Sequence, residues 1–162
     1  MSYIIGITPS KVWTSTETPP FKPGARGADY LGNEYVFVQA DAGGVTQYYA
    51  AVVTSSAFVV DMIDTTNSAP GAQAGGIVCV PQVAIAASGY GWGLVNGVGS
   101  VRTNALAAKG TLLNTTATAG QLDDDATAGA EVINGIALTA ATGGAAASTV
   151  AYLTYPSVGR TL

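Results

Sequence analysis

Catalysis needs side chains that exchange protons, attack or hold metal, and this chain carries few of them. Its 162 residues include 10 acidic and 6 basic side chains, no histidine and one cysteine. Without histidine it lacks the usual general base near neutral pH and the commonest metal ligand. Neither a Ser-His-Asp nor a Cys-His arrangement can be drawn. Cys79 by itself builds no thiolate zinc site and no intrachain disulfide. It lies in the apolar run Gly76-Ile77-Val78-Cys79-Val80 and reads as a buried, inert thiol. The one dense acidic group is Asp123-Asp124-Asp125. Consecutive strand residues point to opposite faces, so three in a row do not converge, and the run lacks the alternate ligands and closing Glu of an EF-hand. It reads as a solvated turn, with a weak Ca²⁺-type site as the alternative. Gly89-Tyr90-Gly91-Trp92-Gly93 invites a nucleotide-loop reading and fails twice: Asn96 stands where a third glycine is required, and no helix pattern follows to receive phosphate. A carboxylate-dependent hydrolase would need Asp61, Asp64 or the Asp123-Asp124-Asp125 group to meet in a cleft. The expectation is a protein that is not an enzyme and uses no cofactor or metal.

Composition points the same way. A chain of this length makes one domain, or one domain plus an arm, and buries roughly 70% of its unfolded surface without help from disulfides. Charged residues make up 10% of it and hydrophobic ones 48%, with 21 glycines. That balance is the reverse of a disordered chain. So little charge leaves a lone domain poorly protected against association, which suits a surface partly covered by partners. The net charge is −4, and Lys11, Lys22, Arg26, Arg102, Lys109 and Arg160 are scattered. Phosphate backbones require a basic stripe, so no nucleic-acid partner is expected. The apolar runs stop short of the ~18 residues of a membrane helix, and residues 1–10 do not read as a signal peptide. A cytoplasmic origin is expected, with exit only inside or upon a particle. Asn114-Thr115-Thr116 fits a glycosylation sequon, read as chance in an unsecreted chain.

The elements that must position any site are strands. Residues 1–33 hold four of the seven prolines, Pro9, Pro19, Pro20 and Pro23. Proline lacks the donor a sheet ladder needs, so this part reads as an extended arm, with a short strand at Tyr3-Ile4-Ile5-Gly6-Ile7. Trp13 and Phe21 ride on it, packed on their own domain or inserted into a partner. Residues 34–162 read as the domain. Glu34-Tyr35-Val36-Phe37-Val38-Gln39-Ala40 alternates in period two, Tyr35 and Phe37 against Val36 and Val38. Further strands are predicted at 45–53, 57–63, 76–80, 81–87, 131–138 (with a bulge at Gly135) and 148–155, where Pro156 ends the last one. Tyr90, Trp92 and Leu94 share one face, and the glycines between them admit another backbone on the other. Asn96-Gly97 makes either a hairpin turn or a bulge in one strand running through Val101. Residues 64–76 and 139–147 read as loops. Many short strands with Gly-rich turns predict an all-β fold, a small Gly-rich β-barrel or β-sandwich with an extended N-terminal arm.

The second half also carries a recognisable order. Gly89-Tyr90-Gly91-Trp92-Gly93-Leu94-Val95 is followed by Gly97-Val98 and by Ala107-Ala108-Lys109-Gly110-Thr111-Leu112-Leu113. Then come Thr118-Ala119-Gly120-Gln121-Leu122, Val132-Ile133-Asn134-Gly135-Ile136-Ala137-Leu138 and Val150-Ala151-Tyr152-Leu153. With Gly32-Asn33-Glu34-Tyr35-Val36-Phe37-Val38 as an opening strand, this resembles the small capsid decoration (cement) proteins of tailed phages across roughly residues 30–155. Asn134 before Gly135, and Gly93 after Trp92, depart mildly from the family pattern. The resemblance implies a β module on the outside of an icosahedral virion head, often a homotrimer, which bridges adjacent major capsid protein subunits and has no catalytic residues. On that reading the arm supplies the anchors: Trp13 and Phe21, supported by Pro19 and Pro20, with Lys22 and Arg26 paired to acidic capsid loops. Deleting residues 1–26 is then expected to weaken capsid binding and leave the domain folded. The alternative function is a carbohydrate-binding or adhesive module of a phage tail or fibre, with Tyr48, Tyr49, Tyr90 or Trp92 exposed to sugar rings.

Overall fold

The computed structural model describes residues 3–125 and 128–161, and among them there is no helix. The first two residues of the predicted arm lie outside the described set. Eleven strands follow in chain order: β1 (Tyr3–Ile5), β2 (Arg26–Ala28), β3 (Glu34–Ala40), β4 (Ala51–Val53), β5 (Val59–Met62), β6 (Val78–Pro81), β7 (Tyr90–Thr103), β8 (Leu113–Thr115), β9 (Leu122–Asp123), β10 (Glu131–Leu138) and β11 (Ala147–Thr161). Strands β3, β5, β4, β6 and β7 close on themselves as a five-stranded barrel, because β3 pairs with both β5 and β7. The fold is therefore all-β as the sequence predicts, and of the barrel and sandwich left open there it contains the closed barrel.

The alternation in β3 survives, but both of its faces are buried. Val36, Val38 and Ala40 point into the barrel with Ala51, Val53, Val60, Cys79, Ile85 and Val95. Five strands enclose little space, and β7 contributes glycine there. A Cβ on Gly91 would lie 2.8 Å from Ile85 Cδ1, and one on Gly93 2.8 Å from Cys79 Cβ. These glycines admit neighbouring side chains, not the second backbone expected from the sequence. The outer face of the barrel, with Phe37, Val52, Val78, Val80, Trp92 and Leu94, forms one continuous core with Leu113, Leu122, Ile133 and Leu153 of the second half. Strand β7 joins the halves: its first part pairs with β3 and β6, its second with β11.

The Asn96-Gly97 pair lies inside this one long strand. The register steps from Glu34↔Asn96 to Tyr35↔Leu94, so Val95 is the extra residue, and Gly97 takes φ +118° beside Asn33. The bulge at Gly135 is present, with φ +77°. A Cβ there would sit 2.6 Å from the Thr154 carbonyl, a position only glycine tolerates. Pro156 does not end β11. Ile136 pairs with Leu153 and Asn134 with Ser157, so 154–156 bulge out opposite Gly135, and a proline inside a bulge removes no ladder bond. Several predicted strands shrink, two of them almost entirely. Of 45–53 only β4 is a strand, because Tyr48 turns at φ +69°. Of 81–87 only Pro81 belongs to a strand, and Ile85 makes a single bridge to Val45.

The proline-rich segment is laid against the domain. β1 pairs in parallel with β2, and β2 with β3. Trp13 bridges Tyr90, and Phe21 closes over Trp92 at 5.1 Å between ring centroids. Removing residues 1–26 would strip this cover from Phe37 and Trp92, so the deletion is not a clean test of binding, contrary to the expectation above.

Candidate protein interface

The residues proposed as anchors separate into two groups. Trp13 and Phe21 turn inward: Trp13 meets Phe37 edge-on at 5.4 Å and Phe21 meets Phe37 at 5.6 Å. Of the two locations left open, the structure takes their own domain. Lys11 places its ammonium 5.6 Å from the Trp13 ring on the outer side. Pro19 is half-buried, while Pro20 and Lys22 are exposed. Arg26 is half-buried on β2, in a small depression it shares with Ile77, Val95 and Tyr155.

The most exposed apolar side chains lie elsewhere. Tyr30 is 88% exposed and Leu31 70%, together at the tip of the β2–β3 turn, while Ile5 at the end of β1 (83%) and Leu106 (72%) stand apart. Asp29 builds that turn. Its Oδ1 accepts from the Leu31 and Asn33 amides at 2.8 and 3.0 Å, and its Oδ2 from Asn33 Nδ2 at 3.0 Å and the Tyr35 hydroxyl at 3.2 Å. Asn33 in turn accepts from the Val98 amide at 2.9 Å, which ties the turn to β7. A groove of about 520 Å³ runs beside it, lined by residues 6–10, Asp29, Tyr30, Leu31, Gln82 and Val83. Sequence reasoning missed this corner, although Asp29 with Gly32-Asn33 is a readable turn signal.

The electrostatics agree with that architecture. Burial alone would raise the Asp29 carboxyl, but the bonds from Asn33, Leu31 and Tyr35 outweigh it and hold the group below the usual carboxylate range. Burial pushes the Tyr35 phenol well above its ordinary value, and the Asp29 charge adds to the shift. A carboxyl whose folded pKa is depressed stabilises the protein at neutral pH, and that contribution is lost as pH falls through its folded value. Asp29→Asn is therefore expected to cost about 1–3 kcal/mol near pH 7. The gap from wild type should close on acidification below about pH 4. Urea unfolding at both pH values checks it, and a gap that widens in acid contradicts the assignment.

A second apolar patch lies on the outer face of β7, β11 and β10. Val98, Val150 and Tyr152 are all exposed there, with Val98 directly opposite Tyr152 in the ladder. The neighbouring outward residues Ser100, Ser148, Thr154 and Ala137 carry no charge, and Arg102 stands opposite Ser148 at one end.

The candidate chemical groups are occupied within the fold. Asp123 accepts from Asn104 Nδ2 at 2.7 Å, and Asp124 from the Ala108 amide at 2.9 Å, so these two carboxylates tie loops together. Cys79 is fully buried in the barrel, and burial pushes its thiol up to about 12, against a small opposing pull from Arg26. Trp92 is 1% exposed and cannot meet a sugar ring, contrary to its place in the carbohydrate alternative. Tyr90 stacks on Phe37 at 6.2 Å, and Tyr48 and Tyr49 are half-buried. The chain matches no protein-family model and no curated protein sequence.

Proposed function

We propose that this chain is a structural decoration protein, which binds the outer surface of an icosahedral phage head and bridges major capsid protein subunits. The observation that carries the reading is the braced corner where Tyr30 and Leu31 stand 88% and 70% exposed. Exposed bulky apolar side chains held by a hydrogen-bonded turn lose little freedom on docking, and an aromatic anchor is the commonest centre of a protein contact. The resemblance of residues 30–155 to decoration proteins supports the same reading, as does a surface so poor in charge. Repetition around a shell turns a modest contact into large total stabilisation through multivalency. The chemistry of the chain is adhesion, and no residue is assigned a catalytic role.

The test uses empty shells of the major capsid protein from the particle that supplies this chain. Purified protein is expected to co-sediment with shells and to raise their disruption temperature. Y30S/L31S, which leaves the core untouched, should weaken binding at least tenfold. Failure of wild type to bind, or undiminished binding by the double variant, refutes the proposal.

A further inference from the structure

The outer face of β7 and β11 has a pattern that matches itself. In the ladder Thr154 pairs with Asn96, Tyr152 with Val98, Val150 with Ser100, and Ser148 with Arg102. The two central rungs supply Tyr152, Val98 and Val150, all exposed, and the end rungs are polar. At one end stands Arg102, half-buried. Its Nε is shut off from water without a hydrogen-bond partner. At the other end lies Glu34, whose carboxylate accepts from Tyr155 Oη at 2.8 Å and from Asn96 Nδ2 at 3.4 Å. The two ends are six residues apart on β7, about 20 Å at the usual strand rise. One positive and one negative end flank an uncharged apolar centre.

We propose that this face binds a second copy of the chain about a two-fold axis that passes between the Tyr152/Val98 and Val150/Ser100 rungs. An isologous contact requires that each group meet its own complement when the face is turned through half a rotation. Here the rotation lays Tyr152 and Val98 of one copy over Val150 and Ser100 of the other. It brings each Arg102 to the partner's Asn96 end, where the Glu34 carboxylate can accept from the guanidinium. Like charges meet nowhere, which matters for a chain with net charge −4. Three strands wide and six residues long, the face measures roughly 15 Å by 20 Å at the usual strand spacing and rise, below the roughly 800 Å² per partner of a tight complex, so the dimer is a weak one, with Kd on the order of micromolar. The Tyr30–Leu31 turn is tied to Val98 of this face through Asn33, so the dimer is tested without shells and with substitutions outside that turn.

Sedimentation of the intact chain over about 1 µM to 1 mM, without shells, tests it. A reversible monomer–dimer equilibrium is expected. Y152E, at a side chain 58% exposed, should abolish the dimer without lowering the melting temperature. R102E should weaken it at least tenfold, and E34R/R102E should recover most of that loss. A monomer throughout the range, a trimer indifferent to Y152E, or a charge swap that restores nothing in a folded variant overturns the proposal. None of these results bears on whether the protein binds shells.

Discussion

Trp92→Ala is expected to be the most destabilising single truncation in this protein, at about 3–5 kcal/mol. Trp92 is fully buried, meets Phe37 at 5.0 Å and Phe21 at 5.1 Å, and stands at the junction between the barrel and the N-terminal segment. Its loss leaves a cavity that the barrel strands cannot close and frees Phe21, which holds the segment in place. For a domain of this size each kcal/mol moves Tm by roughly 2–4 °C, so melting should begin roughly 6–20 °C earlier. Trp13→Ala removes a half-buried ring from the edge of the same cluster and should cost no more than about 2 kcal/mol. Thermal unfolding followed by circular dichroism distinguishes them. Equal losses from the two tryptophans would mean that the segment is as much a part of the core as the barrel itself.

The second large effect is expected inside the barrel. Gly93 pairs with Val36 on one side and Pro81 on the other, and a Cβ there would overlap the Cys79 sulfur. Gly93→Ala therefore overpacks a closed ring of strands, at a cost of about 1–3 kcal/mol, and Gly93→Val should cost more. Because the collision is with one side chain, it should be partly relieved by trimming that side chain. Cys79→Ala in the Gly93→Ala background is expected to recover stability, with a coupling of at least about 0.5 kcal/mol from a double-mutant cycle. Strict additivity would show that the strain is borne by the backbone of β7 and not by the contact with Cys79.

Much of the fold was legible because its signals are local. Period-two alternation in 34–40 marked a strand whose bounds match β3, and the glycine at 135 marked a bulge that the structure contains. The residues of 45–53 favour a strand, but only 51–53 form one, because Tyr48 is held in a left-handed turn by contacts distant in sequence, its amide bonded to the Pro81 carbonyl. Pro156 looks like a stop in the sequence because nothing in 148–156 reveals that Gly135 lies opposite it. The candidate site was less legible. Trp13 and Phe21 stand out in the sequence as bulky aromatics on a proline-rich stretch, but whether such rings face in or out depends on what lies beneath them. Here Phe37 and Trp92 lie beneath them. Tyr30 and Leu31 look like ordinary turn neighbours until Asp29 is seen to brace them into solvent.

The sequence by itself determined that the chain is built from strands, because side-chain alternation and turn chemistry act over a few residues. It also determined which chemical groups are at hand, since no fold can supply a histidine or a second thiol. The tertiary structure alone decided that the barrel closes from β3 to β7 and that the aromatic segment folds back as a cover. It alone placed Glu34 and Arg102 at opposite ends of one uncharged face. Those outcomes depend on pairings between residues tens of positions apart, whose energies exist only once the strands have met.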